Sequence, residues 1–377
     1  MKKLLLLSDP PAAPGYLPRV RFLGDFIVRQ GWDVTLFTEQ YEPLEFAHSY
    51  PIETIPMYSG SRFDWLVKTL WTLLTDWHNR VFAKRVLKRV RNSSPYSAVL
   101  VSAFSDFPLG AGLRIARALN VPLVCDIRDL DEQVTDSKYQ YRHQSRWLMP
   151  FRLLYRAIHI RRRNKVLKAA QAITTVSKWH ADFIRTINPN VYLMYNGFDD
   201  KQFYPQDIHS DTFTISYIGS LFDWQQDALR LVQQAISELS PLPNSQFSIP
   251  NSKFPIIHTE LGNAIRKSSV MLVLTSKHTK GMLTTKFYEA LGCEKPVLCV
   301  PSDDGELAQM IRHTNAGIAT DDIQAIKSFI LDRYHEWQSN GFTRQAVRHR
   351  DEFAREQQCK QIINILNNLT NSITNSL

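Results

Sequence analysis

In the stretch KGMLTTKFYEALGCEKPVLCVPS, residues 280–302, Lys286 and Glu289 stand five and eight positions after Gly281. Thr284 or Thr285 is placed to cap a short helix that runs to about Leu291, with Gly292 as a left-handed stop. A helix N-terminus offers unpaired N–H groups and a positive dipole end, a seat for phosphate. Gly281 lets the backbone come close to a ligand. Lys286 adds a point charge in the first turn. Glu289, one turn in, is placed to accept two hydroxyls of a sugar ring. This set of groups suits a nucleoside diphosphate and its ribose. The same spacing also fits an i, i+3 surface pair contributing about 0.2–0.5 kcal/mol, with Gly281 an ordinary turn.

A second set closes the apolar run PLVCDI: Asp126, Arg128 and Asp129. At a strand end they can form a structural Arg–Asp pair.

These groups need a frame. KLLLLS (3–8), DVTLFT (33–38), AVLVSA (98–103), PLVCDI (122–127), AITTVS (172–177) and VYLMYN (191–196) read as strands. A helical face at Val20, Phe22, Leu23, Phe26 and Ile27 separates the first two, and GAGLRIARALN separates AVLVSA from PLVCDI. This alternation predicts an open, doubly wound α/β sheet. The pattern restarts with FTISYIGSL (213–221), DALRLVQQAISEL (227–239), VMLVLT (270–275), PVLCVP (296–301) and a helix around 304–313. Two α/β domains joined by the polar segment 197–212 follow. Residues 240–257, SPLPNSQFSIPNSKFPII, carry four prolines and fit no helix.

A chain of 377 residues exceeds one ordinary core. The four cysteines show no CxxC spacing, which excludes a disulfide framework, offers zinc no ligand cluster and suggests a reducing compartment. The apolar run Leu4–Leu7 is too short for a signal peptide, and no 18 uninterrupted apolar residues occur. The expectation is a cytoplasmic protein.

Lys plus Arg exceeds Asp plus Glu, 45 against 36. Part of the excess has an address: Arg142 to Lys168 holds nine Lys or Arg and no acid, interleaved with Trp147, Phe151, Leu154 and Tyr155. Such a segment suits an anionic membrane surface, or is a solvated helix face. KRVLKRVR (84–91) adds to it. No binding motif accompanies the charge, so no nucleic-acid partner is expected.

The 280–302 stretch resembles the nucleotide-sugar loop of GT-B glycosyltransferases, especially family 4. AITTVSKWHADFIRTINPNVYLMYNGFDDKQFYP (172–205), FTISYIGSL and PLVCDIRDL resemble other parts of that family in the same order, the last being similar to members that build surface polysaccharides. The resemblance implies a GT-B fold of two Rossmann-like domains facing across a cleft, residues 1–198 on the acceptor side and 199–345 on the donor side. Residues 346–377 would form a terminal helix packing back toward the first domain. It implies a retaining, metal-independent transfer from a nucleotide sugar to a glycan or lipid-linked acceptor, with no cofactor besides the donor. Glu289 would hold the ribose. The backbone at Gly281, Met282, Leu283 and Thr284 would meet the donor sugar and phosphates, above Gly219 and Ser220. On the acceptor side the implied residues are Gly15, Arg19 and Asp129, with Asp126 where many members have a catalytic-side histidine; in that fold Asp126 would point into the cleft and orient the acceptor hydroxyl, and Arg128 would pair with phosphate or with Asp129.

The chain departs from the pattern in three places. Gly281 stands where the first of two glutamates is usual. Residues 220–229 lack the usual Arg and Lys, a charge that Lys286 or Lys280 would have to supply. The 240–257 segment is expected to lack a strand, abbreviating the second domain. These departures leave a degenerate, non-catalytic relative as the alternative.

Overall fold

A computed structural model describes residues 1–9, 18–39, 48–57, 61–135, 148–219, 221–239, 242–248 and 260–374. The chain divides into two compact units, Met1–Glu132 with Tyr141–Met194 and Cys359–Leu377, and Gln133–Gln140 with Tyr195–Gln358.

The first unit is built on seven parallel strands: β1 (Lys3–Ser8), β2 (Asp33–Glu39), β3 (Ile52–Ile55), β4 (Ala98–Ala103), β5 (Leu123–Ile127), β6 (Ala172–Thr175) and β7 (Val191–Leu193). Their order is β3-β2-β1-β4-β5-β6-β7. Helices α1 (Pro18–Arg29), α2 (Arg62–Thr75), α3 (Trp77–Val90), α4 (Leu109–Leu119), α5 (Met149–Ala169) and α6 (Lys178–Arg185) lie between them. The strands are apolar on both sides because both sheet faces are covered. Leu5, Leu7, Val99 and Val101 enter one core with Phe82, Val86 and Leu167. Leu4, Leu6, Ala98 and Leu100 enter the other with Phe26, Ile27 and Ile362.

The second unit has five parallel strands, β8 (Phe213–Ser216), β9 (Ser245–Ser248), β10 (Val270–Leu274), β11 (Val297–Val300) and β12 (Gly317–Ala319), in the order β12-β11-β10-β8-β9. Helices α7 (Gln226–Ser237), α8 (Leu261–Lys267), α9 (Thr285–Gly292), α10 (Glu306–Thr314) and α11 (Ile323–Asn340) accompany them; α12 (Arg355–Thr374) ends the described chain. Strand order reverses between β8 and β10, so the crevice beyond their C-terminal ends is where a ligand sits in such sheets.

Three local expectations are corrected. The proline-rich segment does contain a strand: β9 pairs with β8 from Phe213↔Ser245 to Ser216↔Ser248. β8 itself stops at Ser216, three residues before Gly219. Gly292 is not a left-handed stop. It ends α9 in helical geometry, and the positive φ falls at Glu294 (+53°). Gly292 is there for space: a Cβ would lie 2.7 Å from the Phe198 ring and 3.0 Å from Cβ of Phe203. Gly292→Ala is therefore expected to overpack this core and cost about 1–3 kcal/mol in a denaturant titration.

Candidate functional site

The loop after β10 and the start of α9 bring the expected donor-side groups together. Thr284 is the N-cap, its Oγ1 accepting from the N–H of Lys286 at 3.3 Å. Leu283 is buried in the core, so only its backbone faces the loop. The N–H of Lys280 donates to the carbonyl of Gln133 at 2.8 Å, while its side chain is exposed. Gly281 has φ +62°. The N–H groups of Gly281, Met282, Thr284 and Thr285 have no acceptor among the described residues.

Lys286 leaves α9 over the β8 loop. A Cβ on Gly219 would stand 2.7 Å from its Cε and 3.0 Å from its Nζ, and Gly219 has φ +124°, a conformation that favours glycine. The Lys286 Nζ lies 5.3 Å from the centre of the Tyr217 ring. Ser220 lies outside the described residues.

The Lys286–Glu289 surface pair does not form: among the described residues no ion pair or hydrogen bond engages either side chain. Both are half-buried. Burial pushes the Lys286 ammonium down, opposed by the Glu289 charge. Burial pushes the Glu289 carboxyl up, opposed by Arg355 and then by Lys286. A lysine in a first helical turn also faces the unfavourable end of the dipole. An ammonium over a glycine turn, a carboxylate that no hydrogen bond or ion pair engages among the described residues, and unpaired amides beside them form an arrangement suited to an anion carrying hydroxyls.

In the first unit Asp126 does not face open space. It is fully buried at the end of β5. Cross-strand register sets Ser102, Asp126 and Thr174 in one row, and both hydroxyls donate to its carboxylate at 2.8 Å. Arg19 of α1 completes the set. Its Nη2 lies 2.8 Å from Oδ1, its Nε 3.0 Å from Oδ2, and Nη2 also donates to the carbonyl of Met194 at 2.9 Å. Burial pushes the Asp126 carboxyl up, but the Arg19 charge and these bonds outweigh it and hold it below the usual range. This pair ties α1 to the strand ends and positions them; its carboxylate has no open side for a substrate. Arg128 pairs not with Asp129 but with Asp9, and lies 4.2 Å from the centre of the Phe104 ring. Asp129 is half-buried. Gly15 lies outside the described residues.

Sequence reasoning missed Arg355 and Tyr217, the neighbours of Glu289 and Lys286. Neither stands near the 280–302 stretch in sequence, and no periodicity marks them. It also found no metal-ligand cluster, whereas the fold brings exposed His313, His349 and Glu352 within 4.8 Å of one another. His349 Nδ1 is already 2.9 Å from Glu352 Oε1, and the two imidazoles stack at 4.4 Å.

Residues 19–202 match the model of Glycosyltransferase Family 4. Residues 19–202 thus resemble that family, and the chain has a GT-B fold. The fold is shared with sucrose-phosphate synthase from Thermosynechococcus elongatus, at a TM-score of 0.68 and 16% identity over 99% of this chain and 100% of that one. Anabaena HepE in complex with UDP aligns with a TM-score of 0.57 and 12% identity, over 100% and 99% of the two chains. WaaG, a glycosyltransferase involved in lipopolysaccharide biosynthesis, aligns with 0.57 and 11%, over 97% and 99%. No curated protein matches the sequence. The matched range includes Arg19, Asp126 and Arg128.

Proposed function

We propose that this protein transfers a hexosyl group from a nucleoside-diphosphate sugar to a glycan or lipid-linked acceptor of a bacterial surface polysaccharide, with retention. The observation that carries the reading is Lys286, poised over Gly219 beside the unengaged carboxylate of Glu289. The second unit takes the donor. The amides of residues 281–285 and the Lys286 ammonium hold the diphosphate, and Glu289 accepts the ribose hydroxyls. Lys286 supplies the charge missing from residues 220–229; the exposed Lys280 has no such placement. The UDP named with HepE supports a nucleoside-diphosphate donor, and WaaG supports a polysaccharide acceptor.

As the bond between anomeric carbon and diphosphate breaks, negative charge grows on the leaving group. Lys286 and the positive end of α9 stabilise it and take the part a divalent cation plays elsewhere. The acceptor oxygen forms its bond to the anomeric carbon from the same face and gives its proton to a diphosphate oxygen. This scheme uses no buried carboxylate as base, which agrees with the inaccessibility of Asp126.

The test is nucleoside-diphosphate release from a panel of nucleotide sugars with glycan and lipid-linked acceptors. Lys286→Met is expected to lower turnover about 100-fold by removing leaving-group stabilisation. Binding of donor with no turnover on any acceptor would favour the non-catalytic reading, which the bare 220–229 loop motivates.

A further inference from the structure

The cations of the first unit are not spread evenly. α5 carries seven Lys or Arg and no acid, and α3 carries five and no acid. Both helices, with α4 between them, pack on one face of the first sheet through residues such as Phe82, Val86 and Leu167. Their charged sides therefore turn away from that face. On α3, Arg80, Lys84 and Lys88 have no acidic partner among the described residues. The same holds for Arg161, Lys165 and Lys168 on α5. These three line a surface cavity of about 610 Å³ together with Arg162, Ile158 and Ile187.

Next to this charge lies an apolar patch. On α5, Phe151, Tyr155, Ile158 and Arg162 fall at i, i+4, i+7 and i+11, one stripe of the helix. Arg162 ends that stripe by donating to the carbonyls of Thr72 and Leu73, both at 2.7 Å. These are last-turn carbonyls of α2, which has no basic residue of its own there. The bond fixes the tip of α2 beside α5. Trp71 and Leu74, which flank those carbonyls, are 53% and 76% exposed. Leu70, Phe151 and Leu154 are exposed as well. Large apolar side chains standing in water on two helix surfaces that a half-buried arginine ties together mark an interaction surface.

We infer that the α2 tip and the outer face of α5 dock the protein on an anionic lipid bilayer. Trp71, Leu74, Phe151 and Leu154 enter the boundary between headgroups and acyl chains. Arg161, Lys165 and Lys168 on one side, and Arg80, Lys84 and Lys88 on the other, meet the lipid phosphates. The occupant follows from chemistry: a tryptophan–leucine–phenylalanine patch beside two helices that carry cations and no acid, the nearby Asp76 being paired with Arg114, complements an anionic interface. No helix of the described residues is long and apolar enough to cross a membrane, so this contact would lie on the surface. The inference rests on the lipid-linked acceptor proposed above for its purpose, while its measurement needs neither donor nor turnover.

The test is flotation of the full chain with vesicles of phosphatidylcholine alone and with 30% phosphatidylglycerol (roughly the anionic content at which such binding is strong). The expected result is binding to the anionic vesicles only, weakened by salt. Trp71→Glu with Leu74→Glu should abolish it, and Lys165→Glu with Lys168→Glu should lower it about 20-fold or more, on the order of fivefold per cation. Both variants alter exposed positions, and an unchanged melting temperature and unchanged nucleotide binding would show that they fold. Wild-type protein that ignores anionic vesicles, or variants that float like wild type, would overturn the inference. So would a wild-type dimer in sedimentation that the Trp71/Leu74 variant breaks, since a second copy would then cover the patch.

Discussion

Glu289→Gln is expected to lower nucleoside-diphosphate affinity about 100-fold and, in the same protein, to raise the melting temperature. The loss follows from replacing a charged acceptor of two hydroxyls, each such bond being worth about 1.5–3 kcal/mol. The gain follows from removing a half-buried carboxylate that no hydrogen bond or ion pair engages among the described residues. The pH dependence has a definite sign. Burial raises the folded carboxyl above its unfolded value. Its stabilising contribution is then fully present below the unfolded pKa and is lost as pH rises through the folded one. Melting curves of the ligand-free protein should show that loss in wild type and not in Glu289→Gln. A variant that is less stable than wild type would mean that Glu289 is a structural residue.

Arg19→Met is expected to be the most damaging single substitution in the first unit, costing about 3–5 kcal/mol. It strands the Asp126 carboxylate in a fully buried site with only two hydroxyls. Arg19→Met combined with Asp126→Asn should recover most of the loss, because the uncompensated charge is then gone. Here the pH sign is opposite to that of Glu289. The folded Asp126 carboxyl is held below its unfolded value. Its contribution is present above the unfolded pKa and lost as pH falls through the folded one. Chemical denaturation of both variants between neutral and acidic pH measures this. A single variant as stable as the double would contradict the account.

The strands were legible because the sheets are parallel and covered on both faces: KLLLLS and VMLVLT have to be apolar throughout, and nothing else in a chain of this composition needs such runs. The loop-and-helix of the donor side was legible for a local reason, since Thr284, Lys286 and Glu289 act within one helix. β9 was hidden because four prolines overrule strand patterning in the window around it, yet four residues between them still pair with β8. The role of Asp126 was hidden by register. Only the pairing of β4, β5 and β6 shows that Ser102, Asp126 and Thr174 share a row, and only the fold brings Arg19 to them across 107 residues. The partner of Arg128 was misread for the same reason, Asp9 being the residue that follows β1. Lys286 could be offered from the sequence only as one of two lysines. Its place over Gly219 is a tertiary fact.

The central claim is that Gly219, the 281–285 backbone, Lys286 and Glu289 form a donor site. Calorimetric titration of the purified protein with UDP, GDP and ADP, beside Glu289→Ala, tests it most directly. The account predicts that one of the three binds with a Kd on the order of micromolar, about −8 kcal/mol, and that the variant loses this binding while remaining folded. Binding of none of them, or undiminished binding to Glu289→Ala, would contradict it.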